Sequence, residues 1–391
     1  MKKRILAALL AVCLIFSSGV MAFAQGDPAT DPVLKFDENG EFKILHLCDC
    51  QDGYHADERM LAYIDYVLDE YDPDIVVLGG DNTVGEEATK RLAIEELCNV
   101  FVENETYFTL VFGNHDYQQG YDNDQLFEMY VEEGGEYFLG YDAVPELHGT
   151  ATHNLPVYSN NGSKVKFNLW MFDSGTYVDG GYDCVRKDQI DWYIETSNAL
   201  AQQNGGKVVP SMAFQHIIVA DVYDALFVES PFSLGALTAA YNGKYYTYLP
   251  KLHNFKDFLI EPPCPGVDNE GQFRAMVKQG DTLAIFSGHD HVNDFETQID
   301  GVKIINTPSP TYNSYSSIVN KGARLITVYE DEPENFKSEL IKFNDLVIAD
   351  PDLADVFDLS VFEAKLYNFL GDLALALTKV ASIFSMVIYN W

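Results

Sequence analysis

From Phe42 onward, short apolar runs alternate with stretches whose apolar residues recur at helical spacing. Phe42–Cys48 (FKILHLC), Ile75–Leu78 and Tyr107–Phe112 read as buried strands, and Ala56–Tyr71 and Glu86–Val102 as amphipathic helices between them. That alternation predicts βαβ units and a parallel or mixed sheet covered by helices. Further strands are expected at Val165–Phe172, Val208–Phe214, Thr282–Phe286, Val302–Ile305 and Leu325–Tyr329, with a helix over Lys187–Gln203. These later strands suit a second sheet packed on the first.

Three stretches depart from this rhythm. Residues 1–24 carry a basic start (Lys2, Lys3, Arg4), an apolar run from Ile5 to Val20 and the small-x-small motif Ala22-Phe23-Ala24, which reads as a secretory signal peptide. Acylation of Cys13 is the rival reading, with a poorer flank. Residues 25–41 are then a linker. Residues 220–270 are rich in Tyr, Phe, Pro and Gly with weak periodicity, and are expected to leave the sheet edge as an aromatic excursion that either walls a pocket or closes over the core. Residues 346–391 form a C-terminal helical tail, of which Leu373–Tyr389 is 17 residues with one charge. That is short for a spanning helix, so the tail is expected to dock on the protein, meet a partner or rest on a membrane.

Charge narrows the function. With 25 Lys and Arg against 60 Asp and Glu, the formal charge is −35, and loss of the leader takes it to −38. Polyanions are bound through basic patches, and no basic run exists, so no nucleic acid is expected as partner. The five cysteines outside the leader, Cys48, Cys50, Cys98, Cys184 and Cys264, have irregular spacing and an odd count. They fit neither a disulfide framework nor a CxxC zinc site and read as small buried side chains, with one disulfide left open.

Candidate chemistry sits at the strand ends. Asp49-Cys50-Gln51 follows the first strand, Asp81-Asn82 the second and Asn114-His115-Asp116 the third; His216 and His289-Asp290-His291 follow two later ones. Open α/β sheets place ligands at the carboxyl ends of their strands. Each residue is weak evidence alone, but Asp, Asp, Asn, His and His-x-His in this order make a joint pattern. Two divalent cations about 3.5–4 Å apart need mixed oxygen and nitrogen ligands with one carboxylate shared between them. Glycines at Gly79, Gly80, Gly113 and Gly288 allow the close backbone turns that such sharing requires.

This set of blocks resembles the calcineurin-like metallophosphoesterase superfamily over residues 42 to about 331. Gly288–Phe295, preceded by Glu261-Pro262-Pro263 and Asn269-Glu270-Gly271, is similar to its small purple-acid-phosphatase-like branch. The resemblance implies a four-layer α/β/β/α sandwich, with residues 42–345 as the phosphoesterase domain. It also implies two divalent or trivalent metal ions, of Mn, Fe or Zn. Asp49 and His291 would hold the first metal, Asp81 would bridge, and Asn114, His216 and His289 would complete the second. His115, oriented by Asp116, would stabilise the transition state or protonate the leaving oxygen, while a hydroxide between the metals attacks phosphorus.

Two positions depart from the family pattern. Gln51 stands where the family has a histidine ligand of the first metal, an amide oxygen in place of an imidazole nitrogen, and His55 is a candidate substitute. Val84 stands where purple acid phosphatases carry their tyrosinate, so no charge-transfer colour is expected. The Asp173-Ser174 pair is either support for the ligands or a polar strand end. The expected function is a secreted phosphomonoesterase acting on small phosphate esters. The alternatives are a phosphodiesterase on the same dinuclear site and a catalytically weak, membrane-associated binding protein that has lost the first metal. Fold and metal site do not choose among these.

Overall fold

Both faces of the strand Glu41–Leu47 are buried, and that fixes the architecture. In the computed structural model, which describes residues 34–389 apart from 86, 119, 234–237 and 252–255, Phe42 and Ile44 point one way into a core shared with a second sheet. Leu45 and Leu47 point the other way, against Met60, Tyr63, Ile64 and Val67 of the helix Glu58–Tyr71. A strand covered on both sides reads as a continuous apolar run, which is why FKILHLC shows no alternation. The leader reading of residues 1–24, with Cys13, lies outside the described residues.

The first sheet has five strands in the order Lys337–Lys342, Gly322–Tyr329, Glu41–Leu47, Ile75–Gly79 and Phe108–Val111. The last three run parallel and the first two antiparallel to their neighbours. The second sheet has seven, in the order Lys256–Phe258, Asp294–Ile299, Val302–Asn306, Thr282–Ser287, Ser211–Gln215, Val165–Phe172 and His153–Tyr158. Its middle pairs, from Val302–Asn306 to Val165–Phe172, are parallel. Between the sheets lie Val77, Val111, Leu169, Met171, Met212, Phe214, Phe286 and Ile305. Helices Glu58–Tyr71, Glu87–Glu103 and Asn123–Gly134 cover the outside of the first sheet. Lys187–Gln203 lines the second, with Tyr193 against Trp170 and Phe172. The fold is thus the expected four-layer α/β/β/α sandwich, and the parallel strands of both sheets carry their carboxyl ends to one site.

Several boundaries differ from the sequence reading. The stretch taken as linker already belongs to the fold from Leu34: Leu34 and Phe36 are buried in the inter-sheet core, and Phe36 N–H donates to Tyr158 O (3.0 Å). Among its described residues the aromatic excursion forms regular structure. Phe227–Ser230, Lys244–Pro250 and Thr238–Tyr241 form a three-stranded antiparallel sheet, with Tyr223 stacked on Tyr241 and packed against Tyr246. Residues with rings at irregular spacing pair well across short strands, so period alone did not expose them. Five cysteines are free; Cys48, Cys50 and Cys98 are buried as expected, but Cys184 is half-buried and Cys264 exposed. The chain closes with short helices at Phe343–Ala349 and Leu353–Val356 and a long one at Val361–Tyr389. Among the described residues no helix is long and apolar enough to cross a membrane.

Candidate metal centre

The strand ends gather Asp49, Asp81, Asn114, His216, His289 and His291 at one point, all of them buried. The backbone there is bent hard. Asp49 (φ 56°), Gln51 (φ 46°), Asp81 (φ 50°) and His289 (φ 70°) occupy the left-handed region, which costs a non-glycine residue about 1–3 kcal/mol. Cross-strand bonds hold the bends: Asp49 N–H donates to Gly80 O (3.0 Å), Gln51 N–H to Asp81 O (2.9 Å) and His289 N–H to Asp49 Oδ2 (3.0 Å). Gly80 (φ 89°) cannot carry a side chain, since a Cβ would lie 2.7 Å from the His216 ring.

Two ligand groups result, and Asp81 belongs to both. Asp49, Asp81 and His291 offer one set of donor atoms, and Asp81, His216 and His289 the other; in each the atoms lie within 4.8 Å of one another. The second ring nitrogens are already engaged. His216 Nδ1 pairs with Gly79 O (3.0 Å) and His291 Nδ1 with Tyr315 O (2.8 Å), which turns Nε2 of both rings into the site. His291 Nε2 lies 3.4 Å from Asp49 Oδ1, and His216 Nε2 lies 3.2 Å from Asp81 Oδ2. Asp49 Oδ1, Asn114 Oδ1, His216 Nε2 and His289 Nε2 are buried without a hydrogen-bond partner. Three of these orphaned atoms, on Asp49, His216 and His289, belong to the two ligand groups, and unpaired atoms of metal-ligand type there fit a pair of cations.

Residues 42–293 match the family model described as calcineurin-like phosphoesterase. The chain belongs to the calcineurin-like phosphoesterases. It is 25% identical to "Probable inactive purple acid phosphatase 14" of Arabidopsis thaliana, over 77% of this chain and 78% of that one. It is also 25% identical to "Phosphatase DCR2" of Saccharomyces cerevisiae, over 66% of this chain and 45% of that one. Among solved structures, a dimetal phosphatase from Danio rerio aligns at 12% identity and TM-score 0.46, covering 74% of this chain and 92% of its own.

In this phosphoesterase the site's carboxylates and imidazoles compete for protons. Burial raises Asp49 well above the usual carboxylate range against the pull of His216. Burial also works against Asp81, yet His216 and His115 hold it well below that range. Burial opposes charge on His216, but Asp81 and Asp49 push it up to about 10. His289 and His291, by contrast, are driven by burial down to about 3 and about 4.

The remaining expected residues divide. Gln51 reaches the site, but its Nε2 donates to the shared carboxylate, Asp81 Oδ2 (3.0 Å). His55 does not reach it; the ring is bound to Glu96 Oε1 (2.7 Å) and exposed. His115 stands at the open side with Nε2 4.0 Å from Asp81 Oδ2, and its orienting partner is Gln118 Oε1 (3.0 Å from Nδ1) rather than Asp116. Asp116 instead accepts backbone N–H bonds from Gly113 (2.8 Å), Thr83 (3.0 Å) and Asn82 (3.3 Å), clamping the turns after the second and third strands together. Asp173 accepts from Thr150 N–H and Tyr117 Oη, while Ser174 Oγ accepts the N–H of Ile217, next to His216 (2.9 Å). Ser174 therefore holds the segment that carries His216, while Asp173 ties Tyr117 to Thr150.

Sequence reasoning missed Tyr177 and Tyr315. Asn114 Nδ2 donates to Tyr177 Oη (2.9 Å), which leaves Asn114 Oδ1 buried and without a hydrogen-bond partner. Tyr315 lies face to face with the His291 ring, centroids 4.1 Å apart, and bonds it through its carbonyl. Tyr177 opens the two-residue strand Tyr177–Val178 and Tyr315 lies in a loop, and nothing in their spacing marks them.

Proposed function

We propose that this phosphoesterase hydrolyses small phosphate monoesters outside the cytoplasm with two metal ions. Asp49, Asp81 and His291 would hold the first, beside Gln51, and Asp81, Asn114, His216 and His289 the second. The observation that carries this reading is the pair of ligand groups meeting at Asp81. The two cations supply Lewis-acid polarisation of phosphoryl oxygens and acidify water. Three imidazoles with carboxylate and amide oxygens suit Mn, Fe or Zn.

The chain's own groups supply the rest. His115 keeps a proton on Nδ1, where Gln118 Oε1 accepts it, so Nε2 carries the exchangeable proton. An imidazolium in that place donates Nε2–H to the departing ester oxygen and ends as the Nδ1–H tautomer that Gln118 favours. Asp81 Oδ1 accepts the His115 backbone N–H (2.7 Å), which ties the position of the acid to the shared ligand. Monoesters are favoured over polyanionic substrates by the charge of −35, and by the phosphatase names of the curated relatives.

A second reading is a scaffold that binds phosphate esters with weak turnover. Gln51 favours it, as do the relatives named inactive. Elemental analysis of the purified chain, with turnover of mono- and bis-nitrophenyl phosphate in the same sample, separates the readings. Near two metals per chain, with monoester turnover abolished by Asp81→Asn, is the expected result. One metal or none, with no turnover after adding Mn, Fe or Zn, puts the scaffold reading first, and preferred diester turnover gives the phosphodiesterase.

A further inference from the structure

The last helix docks by its small and polar side. Ala364 and Gly371 are buried, and Asn368 and Leu375 are half-buried against the protein. Asn368 Nδ2 donates to Asp345 Oδ1 (2.6 Å), and its Oδ1 accepts from Asn344 Nδ2 (3.3 Å). A Cβ on Gly371 would lie 3.1 Å from the Phe258 ring, so the helix sits as close as a glycine allows.

Its large apolar residues point the other way. Phe362 (76% exposed), Leu366, Phe369 (62%), Leu373, Leu377 (62%) and Val380 are all exposed. Their steps of four, three, four, four and three residues make one stripe, which at 1.5 Å per residue is about 27 Å long. A surface helix of a globular protein turns such a stripe toward the core; here it faces outward.

We propose that this stripe seats the protein on a lipid surface without net charge, the helix lying in the interface. Three observations favour lipid over a second copy. At 100° per residue Lys365, Asp372 and Lys379 fall together on one flank of the stripe and Glu363 on the other, so charges border the apolar face without crossing it. The formal charge of −35 sets two copies, or this chain and an anionic surface, against each other, whereas zwitterionic lipid meets no such repulsion. The sequence beyond Val380 also holds no Asp, Glu, Lys or Arg, so the apolar character extends past the stripe that a paired helix would cover.

The test is flotation of the full chain with phosphatidylcholine vesicles over a salt series, beside analytical ultracentrifugation without lipid. Expected are vesicle binding that does not weaken with salt, and a monomer in buffer. Phe369→Ser, Leu373→Ser and Leu377→Ser together should lower vesicle binding more than about a hundredfold with an unchanged unfolding temperature. That loss also separates the helix from the apolar leader run Ile5–Val20. Failure of the unsubstituted chain to bind, binding that salt abolishes, retained binding in the triple variant, or a stable lipid-free dimer would each overturn the proposal, the last in favour of a second copy.

Discussion

Removing one hydroxyl, in Tyr177→Phe, tests whether the second metal depends on the orientation of Asn114. An asparagine ligates through its oxygen, and its two ends are alike in shape, so something must tell them apart. Here Tyr177 Oη accepts Nδ2–H at 2.9 Å, and the opposite atom, Oδ1, is the one left buried and unpartnered. Phenylalanine keeps the ring, which lies 5.3 Å from Tyr182 and 6.3 Å from His115 between centroids, and deletes only the acceptor. One such hydrogen bond is worth about 0.5–1.5 kcal/mol net, so the amide's preference for the ligating orientation falls by up to about tenfold. The bond from Gln118 Nε2 to the same hydroxyl is long, 3.4 Å, and exposed, so the His115 arm loses little. The expected result is an apparent affinity for the second metal reduced about three- to tenfold, with turnover at saturating metal nearly restored. Metal-dependence curves for nitrophenyl phosphate hydrolysis, with calorimetric metal titration, read this out. Unchanged metal affinity with reduced turnover would refute the orientation argument and place the hydroxyl against substrate instead.

Three other outcomes follow from the geometry. Gly113→Ala would drive a Cβ into Asp81 Oδ1 and to 2.8 Å from His216 Cδ2, so both metals should be lost together, and elemental analysis retaining one would contradict a shared carboxylate. His153, buried and hydrogen-bonded to Thr109 Oγ1 and Ala151 O, is pushed by burial to about 4. Its contribution is present above the unfolded value near 6.5 and is lost as pH falls toward 4, so stability should drop by about 2 kcal/mol between pH 6.5 and 5. Urea melts in which His153→Asn keeps that slope would exclude it. Gln51→His should raise affinity at the first site by more than about tenfold, since an imidazole lone pair replaces an amide that donates to Asp81; unchanged metal content on titration would mean that position 51 never meets the metal.

The candidate ligands were legible because each follows a buried strand, and strand ends of a parallel sheet converge whatever the loops do. Val165–Phe172 and Lys187–Gln203 were found at their observed bounds for similar reasons, one an unbroken apolar run and the other a long amphipathic pattern. The role of Asp116 was misread because a carboxylate adjacent to His115 suggests a pair, whereas the tight turn aims it back at Gly113 and Thr83. Gln118, three residues after His115, was within reach of a local reading. Tyr177, 63 residues after Asn114, was not, since only the pairing of the sheets brings the two together. The neighbouring glycines Gly80 and Gly288 signalled tight turns, but the left-handed backbone at Asp49, Asp81 and His289 themselves was hidden, because none of these positions is a glycine.

Position 51 joins these points. Were Gln51 only the remnant of a lost ligand, its polar end would be idle in a buried place, which costs about 1–3 kcal/mol. It is instead hydrogen-bonded to the carboxylate that both ligand groups share, and its backbone takes the same left-handed turn as Asp49 and Asp81. Strain of this kind persists only where surrounding structure imposes it. The cross-strand bond from Gln51 N–H to Asp81 O imposes it here, independently of the side chain. The backbone frame around position 51 is therefore held whatever its side chain contributes, so Gln51→His changes the side chain alone and leaves that frame in place.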